Sequence, residues 1–306
     1  MFFLRKTSQK PEGFFLLLTL FIFFSCKTIP VKSSPDEPVS FSAVGSIKPE
    51  WQPFADGIDF FHGKILMPQM EFWALQIDLA SPNTQIVVRS GAANETRPSG
   101  GTSGTFGTKV SSFVRDNNLA AGINAVPFDV VTSREGQPII NAGVVISRGV
   151  LLAPVNRRYD ALVFFKDGRA AIVRQSSILS IEEIDNAIGG FHQILAGGEA
   201  AERTQEREDR HPRSAAGISA DGRYLYLLVI DGRRSGSIGG TENETALILE
   251  SLGAWDGINF DGGGSSALVL RYPDGQVRAV NVPVHGGIPG TERAVAGCIG
   301  VYLRHK

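Results

Sequence analysis

Four polar clusters, each beside an apolar strand-like run, carry the residues that could do chemistry. They lie within "HPRSAAGIS", "LLVIDGRRSGSIGGTENE", "GINFDGGGSSALVL" and "GTERAVAG", which begin at residues 211, 227, 257 and 290. Strand ends often carry binding and catalytic residues, because a rigid scaffold then fixes their positions. The four clusters therefore predict a single functional site.

Three arginines in these clusters, Arg213, Arg233 and Arg293, indicate an anionic substrate group. A guanidinium presents a planar fork of N–H donors that matches phosphate or carboxylate oxygens, which lysine cannot copy. The glycines at 262–264 would let backbone N–H groups point at the same anion. Taken singly, each arginine could instead be half of a surface ion pair.

Titratable groups in the same clusters could act as general acids or bases, and the carboxylates could also hold a cation. These groups are His211, Asp231, Asp261 and Glu292. An anion receptor beside acids is typical of a hydrolase that acts on a phosphorylated substrate. Simpler alternatives stay open: Asp261 could close an Asx turn ahead of the glycines, and His211 could be an ordinary loop residue.

Other classes of site lack their signatures. "DGGGSS" has no lysine before its hydroxyl residues and does not have the glycine spacing of a dinucleotide-binding loop. Five scattered histidines and two isolated cysteines do not form a zinc pattern. A net charge of −1 removes the electrostatic basis for a nucleic-acid partner. A divalent cation such as calcium, held by aspartate oxygens, stays open as a cofactor.

Strand-like patterns outnumber helical ones from residue 51 onward. Asp-Gly pairs at 167, 221 and 274 predict tight hairpin turns. Thr241, followed three residues later by Glu244, is the capping-box signature of a helix start. Strands are predicted at 72–79, 84–90, 161–165, 170–175 and 223–231, and helices at 108–118, 178–188 and 241–252.

These elements predict an α+β fold. We expect a mixed, twisted β-sheet core with a few flanking helices, in one globular domain over residues 51–306. No obligate protein partner is predicted.

The first 26 residues have the pattern of an export signal. Basic residues precede the run "GFFLLLTLFIFF", which is too short to span a bilayer comfortably. Ser25 and Cys26 then resemble the cleavage site of bacterial lipoproteins, although the two phenylalanines before them depart from that motif. We expect an exported, periplasmic or cell-surface protein anchored by lipid on Cys26, with a plain cleaved signal or an uncleaved anchor as the alternative. Residues 27–50 have the composition of a flexible linker.

Four segments follow one another in a recognisable order: "AAGINAVPF", "HPRSAAGISADGRYLYLLVIDGR", "GGTENETALILESLGAWDGINFDGGGSSALVL" and "ERAVAGCIGVYL". Their order resembles the phosphodiester glycosidase family over residues 60–304. The resemblance implies an exported hydrolase that removes a sugar, similar to N-acetylglucosamine, from a sugar-1-phosphodiester in a glycan or cell-envelope polymer.

The resemblance also implies roles for particular residues. It leaves open which carboxylate acts as acid, base or charge stabiliser. The implied catalytic residues are His211, Asp231, Asp261 and Glu292, and the implied substrate-binding residues are Asn124, Arg213, Arg233, Asn259, Gly262, Gly263, Gly264, Ser265, Ser266 and Arg293.

Two positions depart from the family pattern. The family has two glycines after Asn124, where this chain has Ala125 and Val126, and it often has a hydroxyl residue where this chain has Ala215. Side chains at 125 and 126 are expected to narrow the leaving-group side of the site.

Two further functions remain as alternatives. One is a surface module that binds an anionic polysaccharide without cleaving it. The other is a conventional glycosidase with two catalytic carboxylates, which would hydrolyse neutral glycosides and would not need Arg213.

Overall fold

The computed structural model describes residues 38–90, 104–129, 131–132, 134–204 and 208–304. The predicted export signal, Cys26 and residues 27–37 of the predicted linker lie outside these ranges. Within the described part of the chain, no helix has both the length and the apolar character needed to cross a membrane.

β-Strands are the dominant secondary structure of the described chain, and the largest sheet has nine strands. Its neighbours run antiparallel except for one parallel pair, β1 with β3. In spatial order the strands are β1 (Val39–Phe41), β3 (Ile58–Ile65) with β2 (Gln52–Ala55) beside it, β4 (Met70–Asp78), β18 (Tyr224–Ile230), β17 (Arg213–Ile218), β19 (Asp256–Asn259), β15 (His192–Ala196) and β16 (Glu199–Ala200).

Two antiparallel five-stranded sheets accompany it. The first, called here the second sheet, runs β21 (Val277–Ala279), β20 (Leu268–Arg271), β7 (Ala121–Asn124), β24 (Gly297–Leu303) and β5 (Thr84–Ser90). The other, the third sheet, runs β11 (Val150–Ala153), β10 (Val145–Ser147), β14 (Ile184–Gly189), β12 (Asp160–Phe165) and β13 (Ala170–Arg174). Smaller pairings join β6 (Gly104–Phe106), β9 (Pro138–Asn141) and β8 (Phe128–Asp129), and β22 (Val284–His285) with β23 (Ile288–Pro289).

The nine-stranded sheet is buried on both faces, which explains why β18 is apolar throughout. Successive side chains of a strand point to opposite faces. Leu225, Leu227 and Val229 lie in a core shared with the second and third sheets. Leu228 and Ile230 lie on the other face, where helix α2 (Glu242–Leu252) packs. Helix α1 (Val110–Asp116) covers the outer face of the second sheet, so four layers follow one another.

The start of α2 is fixed by the predicted capping box. The Glu244 N–H donates to Thr241 Oγ1 at 3.0 Å, and the Thr241 N–H donates to Glu244 Oε2 at 2.9 Å. Gly253 ends the helix in the left-handed conformation, with φ of 108°. The cap matters for the site because it sets where Glu242, the first helical residue, lies.

The sheet-rich α+β prediction is confirmed in outline. The five predicted strands correspond to β4, β5, β12, β13 and β18, and the three Asp-Gly pairs join β12 to β13, β17 to β18 and β20 to β21. Instead of one mixed core sheet, the strands divide among several sheets that are almost wholly antiparallel.

The predicted helix at 178–188 is wrong. The isoleucines of this segment recur at helical spacing, but residues 184–189 form β14, a strand between β10 and β12 in the third sheet. Ile184 and Ala187 pack on one face of that sheet while Ile188 faces the main core. Cross-strand pairing and β-branched side chains outweigh the helical spacing here.

The predicted linker boundary at residue 50 is too late. Val39–Phe41 form β1 on β3, and Val44 and Ile47 are buried in the apolar layer beneath α2. Ordinary burial of apolar side chains therefore ties the chain to the domain from residue 39 onward.

Candidate functional site

A cleft of about 430 Å³ opens where four strands of the nine-stranded sheet end together. Because the strands are antiparallel, the first residues of β15 and β17 lie beside the last residues of β18 and β19. Arg213 pairs with Ile230, and Asn259 lies between Ala215 and His192. The register thus brings the first three predicted clusters to one edge.

Eight predicted residues line this cleft, and six further residues line it that the sequence did not indicate. The predicted ones are His211, Arg213, Arg233, Asn259, Gly262, Gly263, Gly264 and Arg293. The others are Tyr159, Phe191, His192, Pro212, Glu242 and Phe260.

Two arginines in the cleft have no carboxylate within salt-bridge distance among the described residues. Arg233 is exposed and makes no hydrogen bond or ion pair there. Arg293 donates to His285 Nδ1 and to Ser265 Oγ, both at 3.1 Å. Burial lowers the pKa of the Arg293 guanidinium, Asp261 raises it, and Arg233 lowers it further. Two close cations that no carboxylate of the described residues contacts favour an anionic ligand.

A buried ion-pair cluster holds the backbone of Arg233 in place. Arg233 has a φ of 59°, which is uncommon for a residue with a side chain. Its neighbour Arg234 donates to Asp231 Oδ2 at 2.8 Å and also pairs with Glu71. His62 Nε2 lies 3.1 Å from Glu71 Oε1. The cluster therefore fixes the Arg234 side chain. Because Arg233 is the adjacent residue, its side chain is held pointing in a different direction.

Asp231 belongs to this cluster and not to the cleft. It is fully buried, and its carboxylate accepts hydrogen bonds from Arg234, from Asn281 Nδ2 and from the Val282 N–H. Burial raises its pKa, against the lowering effects of Arg234, Asn281 and Val282. Asp231 was predicted to be catalytic, but the structure places it in this cluster and not in the lining of the cleft.

Glu292 is also directed away from the cleft. Its Oε2 accepts the Ser111 N–H, at the first turn of α1, at 3.1 Å. The next residue, Arg293, points the opposite way, into the cleft. Consecutive residues of an extended chain alternate in direction, so Glu292 stabilises α1 and is not placed for catalysis.

Asn124 positions the glycine loop and does not contact the cleft. It is completely buried; its Nδ2 donates to the Asp261 carbonyl at 2.6 Å, and its Oδ1 accepts from Ser214 and from the Ala267 N–H. Ser266 is likewise buried outside the cleft. Both were predicted to bind substrate, but neither lines the cleft; Asn124 instead supports the glycine loop, and Ser266 lies at its buried end.

Each of the three glycines makes room for a different group. A Cβ on Gly262 would lie 2.8 Å from the Pro212 carbonyl oxygen. Gly263 has a φ of 61° and lies beneath the Arg233 guanidinium, and a Cβ on Gly264 would lie 2.5 Å from Arg293 Nη2. The Gly263 N–H donates to the Pro212 carbonyl at 2.8 Å. The glycines therefore admit two guanidiniums, whereas we had expected their N–H groups to bind the anion.

Asp261 lies at the base of this arrangement, behind the cleft lining. Burial raises its pKa to about 6, against the lowering effects of the Ser265 hydroxyl, Arg293 and the Gly262 N–H. Ser265 contacts both Asp261 and Arg293, so the carboxylate acts on the cleft through Ser265 and the Arg293 guanidinium.

The titratable groups that do face the cleft include His211 and Glu242. Burial lowers the pKa of His211, as do Arg213 and Arg233, while Asp209 opposes them, and this direction favours the neutral imidazole. Glu242 is 5% exposed, and its Oε1 lies 3.7 Å from Arg213 Nη1. The sequence offered one signal for Glu242: it follows the capping threonine directly, where helix N-termini favour acids.

Ala125 and Val126 do not narrow the cleft. Both are buried in the main core and neither lines the site. Val126 occupies the space beside Gly297, where a Cβ would lie 2.7 Å from the Val126 side chain. The replaced glycines thus change core packing and leave the cleft wall unaltered.

No group of three or more His, Cys, Asp or Glu side chains among the described residues is arranged to hold a metal ion. Cys298 is buried in β24, where burial raises its thiol pKa.

A family model described as "Phosphodiester glycosidase" matches residues 117–302 of the chain. The chain belongs to the phosphodiester glycosidase family. The matched range includes α2, the whole glycine loop and all three cleft arginines, and it ends before the C-terminus of β24.

Two solved structures share the fold of this family member. A hypothetical protein from Synechocystis has 16% identity and a TM-score of 0.63 over 85% of this chain; the match spans 64% of that protein's length. The zebrafish N-acetylglucosamine-1-phosphodiester alpha-N-acetylglucosaminidase catalytic domain, auto-inhibited by its pro-peptide, has 19% identity and a TM-score of 0.56 over 84% of this chain and 89% of its own. No curated protein matches the sequence.

Gly264→Ala is expected to weaken oxyanion binding at least about tenfold, because the new methyl group displaces the Arg293 guanidinium. Stability should change little, since a flexible side-chain end can move aside. Sulfate titration by calorimetry measures the effect. Gly45→Ala, where a Cβ meets nothing within 4 Å, is the matched control. Equal sulfate affinity in Gly264→Ala and the parent would contradict this account.

Sulfate affinity should rise about fivefold as pH falls through about 6, because protonation of Asp261 removes a negative charge near the anion site. Sulfate itself does not titrate in this range. In Asp261→Asn, the rise in sulfate affinity near pH 6 should be absent. The variant should bind sulfate at pH 7.5 with the affinity that the parent has at low pH. A step of the same size and midpoint in Asp261→Asn would assign it to another group.

Proposed function

We propose that this protein hydrolyses the bond between the anomeric carbon of a sugar and the phosphate of a sugar-1-phosphodiester. The sugar is of the N-acetylglucosamine type, and the substrate belongs to a glycan or cell-envelope polymer. The observation that carries the proposal is a pair of guanidiniums, Arg233 and Arg293, that no carboxylate of the described residues contacts and that lie over the glycine loop of a phosphodiester glycosidase family member.

The arginines bind the phosphodiester and stabilise the leaving group. The oxygen of a water molecule forms a bond to the anomeric carbon while the bond from that carbon to the phosphate oxygen breaks, and the electron pair stays on the phosphate. Negative charge grows on that oxygen in the transition state, so fixed donors nearby lower the barrier. Phosphate is already a fair leaving group and needs little protonation.

The attacking water loses a proton, and positive charge develops on the sugar ring. Glu242 and His211 are the cleft groups that serve these needs: a carboxylate stabilises an oxocarbenium-like centre, and a neutral imidazole accepts a proton. Asp261 positions Arg293 through Ser265. The catalytic contribution that the sequence indicated for Asp261 thus becomes a positioning role, and Glu242 is added.

The proposed place of action is outside the cytoplasm. The basic and apolar leader ending at Cys26 supports export and lipid anchoring. The parent should incorporate radiolabelled palmitate and Cys26→Ala should not, if Cys26 carries the lipid anchor.

We propose a glycan or sugar-phosphate as the partner and no nucleic acid, in line with the net charge.

Incubation with a synthetic N-acetylglucosamine-α-1-phosphodiester in ¹⁸O-water should release free sugar that carries the label, together with an unlabelled phosphomonoester. Label in the phosphate would instead indicate cleavage of the P–O bond. Mass spectrometry distinguishes the two.

Glu242→Gln should lower kcat at least about a hundredfold, whereas Glu250→Gln, an exposed position on the same helix, should leave it within about twofold of the parent.

The same assay separates the alternatives. Tight polymer binding without release of sugar would favour a non-catalytic module. Hydrolysis of neutral glycosides that survives Arg213→Gln would favour a conventional glycosidase. Loss of turnover with a chelator, restored by calcium, would add a divalent cation to the site.

A further inference from the structure

The cleft has a second wall that is chemically unlike the arginines. Tyr159 and Phe191 form it, both half-buried, with ring centroids 5.3 Å apart and planes at 88°. Tyr159 also meets the His192 ring edge to face, with centroids 5.7 Å apart. None of the motifs that indicate the family contains these residues, since they come from the loops that enter β12 and β15.

The backbone fixes this aromatic wall to the floor of the cleft. The Phe191 N–H donates to the Asn259 carbonyl at 2.8 Å, and the Phe191 carbonyl accepts the Asp160 N–H at 3.2 Å. A Cβ on Gly190 would lie 2.8 Å from that same Asn259 carbonyl oxygen, so glycine is needed for this approach. The backbone that carries Phe191 is therefore held against the floor of the cleft.

Between the two walls, Asn259 offers a hydrogen-bond acceptor that has no donor. Its side chain is 2% exposed, and Oδ1 has no partner among the described residues. A buried acceptor left unpaired costs free energy unless a ligand supplies a donor. Phosphodiester oxygens carry no proton and cannot serve it. A sugar hydroxyl or an acetamido N–H can.

We infer that Tyr159 and Phe191 form the sugar subsite, with Asn259 accepting a sugar O–H or N–H, while the phosphate lies at Arg233 and Arg293. The inference rests on the proposed function and adds the orientation of the substrate. The negative face of an aromatic ring repels an anion but packs well against the C–H face of a pyranose. Asn259 and Gly263 are four positions apart, so their backbones are at most about 14 Å apart.

Binding of two separate probes tests the assignment without requiring turnover. Methyl N-acetyl-α-glucosaminide represents the sugar, and sulfate represents the anion. Phe191→Ala should weaken the sugar about tenfold and leave sulfate affinity within about twofold. Arg233→Gln should do the reverse. Asn259→Ala should weaken the sugar alone. Tyr272→Ala, a tyrosine outside the cleft, is the matched control and should change neither affinity.

Retained sulfate affinity shows that a variant is folded. If Phe191→Ala loses affinity for both probes, the measurement is repeated with Phe191→Leu. Leucine keeps much of the apolar volume but lacks the aromatic ring. Equal losses of both probes in Phe191→Leu, or sugar binding unaffected by either Phe191 substitution, would overturn the inference. Absence of sugar binding in the parent would overturn it too, whereas phosphodiester hydrolysis measured separately would still uphold the proposed function.

Discussion

The arrangement depends on keeping two arginine side chains close together with no carboxylate of the described residues in salt-bridge contact. Arg233 and Arg293 repel one another, and each would gain by turning towards a carboxylate. Contacts on each arginine oppose this movement. Arg234, the neighbour of Arg233 in the chain, is held between Asp231 and Glu71, and Arg293 is held by His285 and Ser265. The outcome is a preorganised receptor, in which the protein bears the cost of assembly before a ligand arrives.

The glycine loop makes this arrangement possible. Side chains at 263 or 264 would occupy the space of the two guanidiniums, and one at 262 would strike the backbone beside His211. Asn124 ties the loop to β7 and β17 from below, which explains why a completely buried amide belongs to the family pattern without touching the cleft. The three glycines thus make room for the two guanidiniums, and Asp261 lies beneath them.

Much of this was readable from the sequence, for physical reasons that differ by element. The capping box at Thr241 and the three Asp-Gly turns are local, so their residues alone decide the outcome. The convergence of the strand-end clusters was also predictable, because polar residues at strand ends have few other places to lie. The helix prediction for residues 178–188 was wrong because the structure of this segment depends on residues distant in the sequence. Part of it pairs with β10 and β12 as strand β14, and this pairing is incompatible with a helix.

Side-chain direction is what the sequence could not supply. Asp231 lies two residues from Arg233 and Glu292 lies one residue from Arg293, yet Asp231 enters an ion-pair cluster and Glu292 accepts a backbone N–H of α1. A shift of one or two residues along the chain thus separates a side chain that faces the cleft from one that does not. Conversely, Tyr159 and Phe191 reach the cleft from segments without a charged motif, and Glu242 reaches it from the end of a cluster in which the arginine drew the attention. The pair of glycines before Phe191 was the one available signal that backbones meet closely there.

The central claim is that Arg233 and Arg293 form one oxyanion site over the glycine loop. The most direct measurement is a crystal structure with tungstate, located by its anomalous scattering. The account predicts one tungstate in contact with both guanidiniums, beside Gly263 and Gly264, and its loss in Arg293→Gln. Tungstate bound elsewhere, or either guanidinium turned away to pair with a carboxylate of the protein, would contradict it.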